Sequence, residues 1–437
     1  MSLEHYREEF ARQRLRWGGD RLGERREAAL QAFTNAGFPT THQENWKYTD
    51  LRGLTKRHFR GRETPAMVDA DALTAALPKG MVNAHRMVFV DGRFSAELSA
   101  PACLPAGVTV ETLSQRLAAH ADSDVGFGNC VNGYASALTD MNTAFVSDGL
   151  CLTLAEDAIL DAPIHLVIVA GGQQETMAQL RHLLRLGAHS RATLIEHHIG
   201  LGDQSYLCNA VTELRAGPGA QLTRVRLQEE SAQGYHVSSL HARLDRDSLL
   251  SNHGVDFGGR LVRADTNVNL AAEGAQVQLN GVYVASGRQH IDNHTRVDHN
   301  LPHGTSRETY KGIVSGRGRG VFNGKVVVHE GAQKTDSEQS SAALLLSDKA
   351  EVDAKPELEI YADDVKCAHG STVGQLDEAA VFYLMSRGIA AHAARAILTY
   401  SFADALIADI PVAGLREHIE AALLAKLGYD AGGAALA

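Results

Sequence analysis

Two residues near the end of the chain carry the most pointed chemistry. Asp363-Asp364-Val365-Lys366-Cys367-Ala368-His369-Gly370 sets a thiol and an imidazole two positions apart. On a β-strand that spacing puts both on one face. An imidazolium beside a thiol favours the thiolate, which is both a nucleophile and a soft ligand for iron. The bland reading is a buried cysteine next to a surface histidine. Two ligands cannot hold an iron–sulfur cluster, which usually takes four. If this corner binds iron or sulfur, other ligands must come from a partner chain. Asp363 and Asp364 adjoin the pair, but as strand neighbours they would point to opposite faces.

Other constellations are weaker. His290, Asp292, His294, Arg296 and Asp298 alternate and would share a strand face. Two imidazoles and a carboxylate could bind a metal, but a hydrogen-bonded ladder is commoner. Gly316-Arg-Gly-Arg-Gly320 with Gly324-Lys325 suggests a phosphate loop, yet Arg319 and Val326 stand where Gly and Ser or Thr are required. No helical pattern follows for a dinucleotide fingerprint, so the cluster reads as tight β-turns and no nucleotide site is expected. Cys103, Cys130, Cys151 and Cys208 are widely spaced. With no C-x-x-C pair, neither a zinc knuckle nor a self-contained cluster site is suggested. No Ser-His-Asp or paired-carboxylate arrangement is recognisable, so no autonomous enzyme activity is expected.

The elements that must position Cys367 and His369 are mostly strands. From Cys151 onward, Ile164–Val169, Ala192–His198, Leu222–Leu227, Val277–Val284, Lys325–His329 and Ala350–Ile360 read as strands. A turn phrase recurs at Gly187-Ala188-His189, Gly219-Ala220-Gln221, Gly274-Ala275-Gln276 and Gly331-Ala332-Gln333. Many short strands with Gly turns fit a barrel, a sandwich or a solenoid. The repeated phrase favours a parallel β-helix, although its spacing is unequal. Before this region, residues 3–36 look helical, split at Gly18-Gly19 and stopped at Gly37. Gln43–Asp50 is an aromatic knot that should pack Trp46 and Tyr48 onto the next layer. Met87–Val90 before Asp91-Gly92 reads as a hairpin. After Gly374 three amphipathic helices follow. One is capped by Asp377 and stops at Gly388, one ends at Pro411, and one carries Leu415, Ile419, Leu423 and Leu427. They would cap the solenoid or offer a groove to a partner. The expected division is 1–60 helical, 61–150 mixed, 151–374 β-helix and 375–437 helical.

Composition excludes several classes. The 437 residues are 44% apolar, enough for a sizeable core. A net charge of −10 argues against a nucleic-acid or anionic-membrane surface. No apolar run reaches the roughly 18 residues of a membrane span. The charged stretch MSLEHYREEFARQRLRW lacks the core of a signal peptide, so a cytoplasmic location is expected.

Long ordered phrases resemble the SufB/SufD family of iron–sulfur cluster assembly proteins. They are HIDNHTRVDHNLPHGTSRETYKG (290–312), VFNGKVVVHEGAQKTDSEQSSAALLLSDKAEVDAKPELEIYADDVKCAHGSTVG (321–374) and QENWKYTD (43–50). The last of these, the shorter length and the lack of cysteine-rich segments look like the SufD branch. The resemblance implies a mainly β chain: a right-handed parallel β-helix flanked by N-terminal and C-terminal α-helical domains. It implies a SUF-system scaffold that pairs edge to edge with a SufB-like subunit, or with itself as a homodimer. It also implies an ABC-type ATPase (SufC-like) docked on residues 377–427, within a SufBCD complex. A transient iron–sulfur cluster would assemble at the heterodimer interface, where the family's histidine maps onto His369 and a nearby cysteine onto Cys367. A reduced flavin on the complex is a further implication. Rival readings are a β-helix carbohydrate-active enzyme and a pure interaction scaffold without site chemistry.

Overall fold

The computed structural model describes residues 2–15, 17, 21–81, 83–119, 126–131, 133–134, 136–171 and 175–428. The Gly18-Gly19 break lies outside them.

Two ten-stranded sheets dominate. The first runs from Val108–Thr112 and Leu150–Leu154 through Thr176–Leu186, Tyr206–Ala216, Tyr235–Leu244, Leu261–Leu270, His290–His299 and Arg319–Val328 to Glu351–Ile360, with the short Arg60–Gly61 pairing beside Thr176–Leu186 off this path. The second runs from the hairpin His85–Val90 and Arg93–Ala100 through Ile164–Ala170, Arg191–Gly200, Gln221–Glu229, Leu249–Asp256, Gln276–Ala285, Thr305–Val314 and Asp336–Leu345 to Lys366–Gly374. Consecutive strands alternate between the sheets, and strands one coil apart pair in parallel. This is the expected parallel β-solenoid. The hairpin turn is as expected: Asp91 (φ 49°) and Gly92 (φ 81°) both have positive φ, which matches strand twist.

The repeat is loose because coil length varies. Partners are 26 residues apart at Tyr235 and Leu261 but 32 apart at Arg319 and Glu351. What does repeat is one left-handed backbone position per coil: His189, Gly219, Asp247, Gly274, His303 and Lys334 all have φ between 52° and 72°. Their N–H groups bond down the stack, from His189 to the Pro218 carbonyl (2.8 Å) through to Lys334 and the Asp364 carbonyl (2.6 Å). Gly219 and Gly274 occupy that position, whereas Gly187 and Gly331 precede it by two and three residues. The phrase is therefore in register at two of its four occurrences. Gly316 (φ 67°) likewise sits in a turn, but Gly320, Gly324 and Lys325, read with it as turns, lie within the strand Arg319–Val328.

Helices cover both outer faces. Ser2–Arg14, Gly23–Ala36 and Ala137–Phe145 bury Tyr6, Phe10, Phe33 and Phe145 with Leu207, Tyr235, Val237 and Leu261 of the first sheet. Ala391–Ala408 and Ala413–Lys426 bury Ala403, Ile407, Leu415, Ile419 and Leu423 against Ile195, Val225, Val255, Val282 and Ile313 of the second. The Glu229 carboxylate reinforces this contact by accepting from His197 Nε2 (2.9 Å) and His418 Nε2 (2.7 Å). The C-terminal helices therefore lie along the side of the solenoid, and among the described residues nothing caps its last coil.

Candidate functional site

The uncapped coil ends in two edge strands. Glu351–Ile360 is the outermost strand of the first sheet and Lys366–Gly374 of the second. The first edge is protected in the usual way: Pro356 cannot donate to a ladder, and Asp353, Lys355, Glu357 and Glu359 line it. Those charges pair with Arg319 (2.6 Å) and Lys325 (2.6 Å) of the coil beneath. The second edge has no proline, and its residues are exposed apart from half-buried Cys367. Lys366 N–H bonds the Thr335 carbonyl (2.8 Å). In a parallel ladder alternate residues bond the same neighbour, so the N–H groups of Cys367, His369, Ser371 and Val373 point away from the molecule.

Cys367 and His369 stand opposite Ser337 and Gln339, both buried inward-facing residues. The register thus places thiol and imidazole on the inner face, at the mouth of the solenoid. Cys367 packs against Val326, Val328, Ala332 and Ala362. Burial, and next the charge of Asp336, push its thiol up from the ordinary value. This is opposite to the lowering that an adjacent imidazolium would give, so isolated Cys367 rests as a thiol. Below it runs a chain of buried polar groups: Ser337 Oγ accepts from Ser306 Oγ (2.8 Å), which contacts His299 Nε2 (2.9 Å). Below His369 lie Gln339 and then Glu308, whose carboxyl is pushed up to about 7 by burial and accepts from Thr295 Oγ1 (2.5 Å). Asp363 and Asp364 sit in the bend before the strand rather than on it. Asp364 pairs with Lys334 across the turn.

The alternating face from His290 to Asp298 is a hydrogen-bonded ladder covered by the N-terminal region. Asp292 pairs with Arg263 (2.6 Å) and His294 (3.0 Å), and accepts from Thr49 Oγ1. Asp298 takes Arg296 (2.8 Å), Tyr134 (2.7 Å) and His329 (3.2 Å). Trp46 is buried over the Arg263 guanidinium at 4.4 Å, as the aromatic loop leads one to expect, while Tyr48 is only half-buried. Glu44 of the same loop pairs with Lys355, so the loop straps several coils together. A metal role for this face finds no support, because its carboxylates are already matched to cations and hydroxyls.

Comparison with known proteins agrees with this architecture. The family described as "SUF system FeS cluster assembly, SufBD core domain" matches residues 168–402, and the SufBD protein N-terminal region matches residues 5–166. The iron–sulfur cluster assembly protein SufD of Escherichia coli (strain K12) is 32% identical over 421 residues, covering 93% of this chain and 92% of that protein. An iron–sulfur cluster assembly SufBD family protein of Synechocystis is 30% identical over 409 residues, covering 91% and 89%. The chloroplastic protein ABCI7 of Arabidopsis thaliana is 26% identical over 408 residues, covering 90% and 83%. Full-length similarity at this level, on a solenoid of the expected kind, means that the chain belongs to the SufB/SufD family of iron–sulfur cluster assembly proteins.

Proposed function

We propose that this chain is a SufD-like scaffold subunit without catalysis of its own. It pairs with a SufB-like subunit through the Lys366–Gly374 edge and presents His369 to an iron ion or nascent cluster at the seam. The observation that carries this reading is the position of His369, exposed on an edge strand whose outward N–H groups have no strand beside them. An imidazole there donates one ligand and leaves the rest to the facing chain. Cys367 serves as an accessory thiol. Its raised pKa keeps it protonated until a cation or a metal arrives, and metal binding then releases the proton. The same edge supports a homodimer when the chain is alone. An ABC-type ATPase docks on the C-terminal helices, where Phe382 (72% exposed), Tyr383, Met385 and Ile397 leave large apolar side chains in solvent. Cycles of the ATPase would move the two solenoids relative to each other, and a reduced flavin would bind to the complex rather than to this chain. We place its work in the cytoplasm; among the described residues no helix is long and apolar enough to cross a membrane.

The test is reconstitution of the complex with His369→Ala. The variant is expected to fold and assemble but to form no cluster. Cys367→Ala is expected to lose only part of the yield. Full cluster formation by His369→Ala removes the site assignment, and full formation by the double variant leaves only a passive scaffold.

A further inference from the structure

A second set of ligating side chains lies inside the solenoid, several coils from the edge. His198 lies near the end of the strand Arg191–Gly200, Cys208 near the start of Tyr206–Ala216, Glu230 just after Gln221–Glu229, and His236 near the start of Tyr235–Leu244. The turns joining the two sheets bring these four to one corner, where a donor atom from each lies within 4.8 Å of the others. All four are buried. We propose that His198, Cys208, Glu230 and His236 form a tetrahedral site for a divalent first-row transition ion of the zinc or ferrous type.

Three geometric facts carry this. First, His198 Nε2 contacts Glu196 Oε1 at 2.9 Å, and Glu196 is itself fixed by Arg224 Nη2 at 2.7 Å. A carboxylate that accepts a hydrogen bond from Nε2–H fixes the lone pair at Nδ1, which is how metal-ligating histidines are commonly oriented. Second, that Nδ1 faces Cys208 Sγ at 3.6 Å. A zinc ion at ordinary Zn–S and Zn–N distances sets tetrahedral S and N ligands about 3.6 Å apart. Third, His236 Nδ1 is ion-paired with Glu230 Oε2 at 2.6 Å, whereas Nε2 has no hydrogen-bond partner although the ring is fully buried. A buried polar atom is rarely left so, and an ion at Nε2 accounts for it. The donor set has two nitrogens, one sulfur and one carboxylate oxygen, which disfavours calcium and magnesium. Access exists, because Glu230 lines a cavity of about 400 Å³ with Phe257, Ala422 and Lys426 beneath the last helix. On loading, the Cys208 proton leaves and the thiolate takes its place on the metal.

The test uses the full-length chain, stripped with a chelator and titrated anaerobically with cobalt(II). A thiolate-to-cobalt charge-transfer band with tetrahedral d–d bands is expected, bleached by zinc. Cys208→Ser should abolish the charge-transfer band. Glu196→Gln should weaken metal binding by about 10- to 100-fold. His369→Ala and Cys367→Ala should leave the band intact, which separates this site from the edge. Circular dichroism of the stripped variants checks their folding. If Cys208→Ser does not fold, X-ray absorption of the zinc-loaded natural chain is expected to show one sulfur in the first shell. A folded chain giving no thiolate band, a band undiminished in Cys208→Ser, no displacement by zinc, or a sulfur-free shell overturns the proposal.

Discussion

Arg263 shows how single residues hold this molecule together. Its guanidinium is fully buried, lies under Trp46, and pairs with Asp265 (2.7 Å) and Asp292 (2.6 Å). Burial alone would lower its affinity for the proton, but the two carboxylates more than offset this and the net shift is upward. Asp292 is held well below the usual carboxylate range, because Arg263 and His294 outweigh its own burial. Arg263→Ala would strand a buried carboxylate, and breaking a buried pair in this way costs about 3–5 kcal/mol. Urea unfolding is expected to show that loss, and a cost below about 1 kcal/mol would mean that water replaces the pair. His369 differs in kind. It is exposed at an edge, so its replacement is expected to change cluster formation and not the melting temperature.

At the scale of elements, the two exposed surfaces can be tested separately. Ser371 points its N–H away from the solenoid, so Ser371→Pro removes an outward donor and no internal ladder bond. The variant is expected to unfold as the natural chain does but to lose co-purification with a SufB-like subunit. Retained pairing would place the interface elsewhere. Phe382→Asp puts a charge on the exposed side of Glu378–Ser386 while Val381 on the buried side is untouched. It is expected to weaken ATPase capture at least tenfold, read by pull-down titration, with subunit pairing unchanged. The strapping loop Gln43–Asp50 works at this scale too. Thr49, Trp46 and Glu44 reach Asp292, Arg263 and Lys355 on three different coils.

The whole molecule carries an acid-sensitive interior. Burial lowers His182, His241 and His299 to about 4 each. Arg181 adds to this at His241, where Glu213 and Asp265 oppose it. Asp298 opposes and His329 adds to it at His299, while Glu196 opposes at His182 against His198, Arg224 and Arg181. In the unfolded chain each takes a proton near pH 6.5, but the native state refuses it until about pH 4. The unfolded state then binds more protons, so stability is lost as pH falls from 6.5 to 4. Glu308, raised to about 7, acts in the opposite sense between about 4.5 and 7, since only its unfolded form ionises there. These imidazoles outnumber Glu308, so acidification leaves a net loss of stability. Urea midpoints measured from pH 7.5 to 4.5 are expected to fall, and a flat profile would contradict the burial of these rings.

Legible in the residue order alone were the helical ends, the hairpin at Asp91-Gly92, half a dozen strand segments bounded by turn signals, and the spacing that joins Cys367 to His369. These are local features, set by period, capping and turn chemistry. Strands such as Gln179–His182 within Thr176–Leu186, or Asp336–Leu345, stayed hidden because both faces of the sheets bury polar side chains. Gln179 and Arg181 lie on the Met177 face, where Arg181 meets Glu213 and Asn142, while His182, Glu196 and Gln339 face the solenoid interior, so no apolar alternation marks them. Packing alone set the C-terminal helices along the flank of the solenoid, with its last coil open among the described residues. It also brought together His198, Cys208, Glu230 and His236, whose ligating geometry arises where the corners of successive coils stack. Such sites depend on register between coils of unequal length, and that register exists only once the coils have stacked.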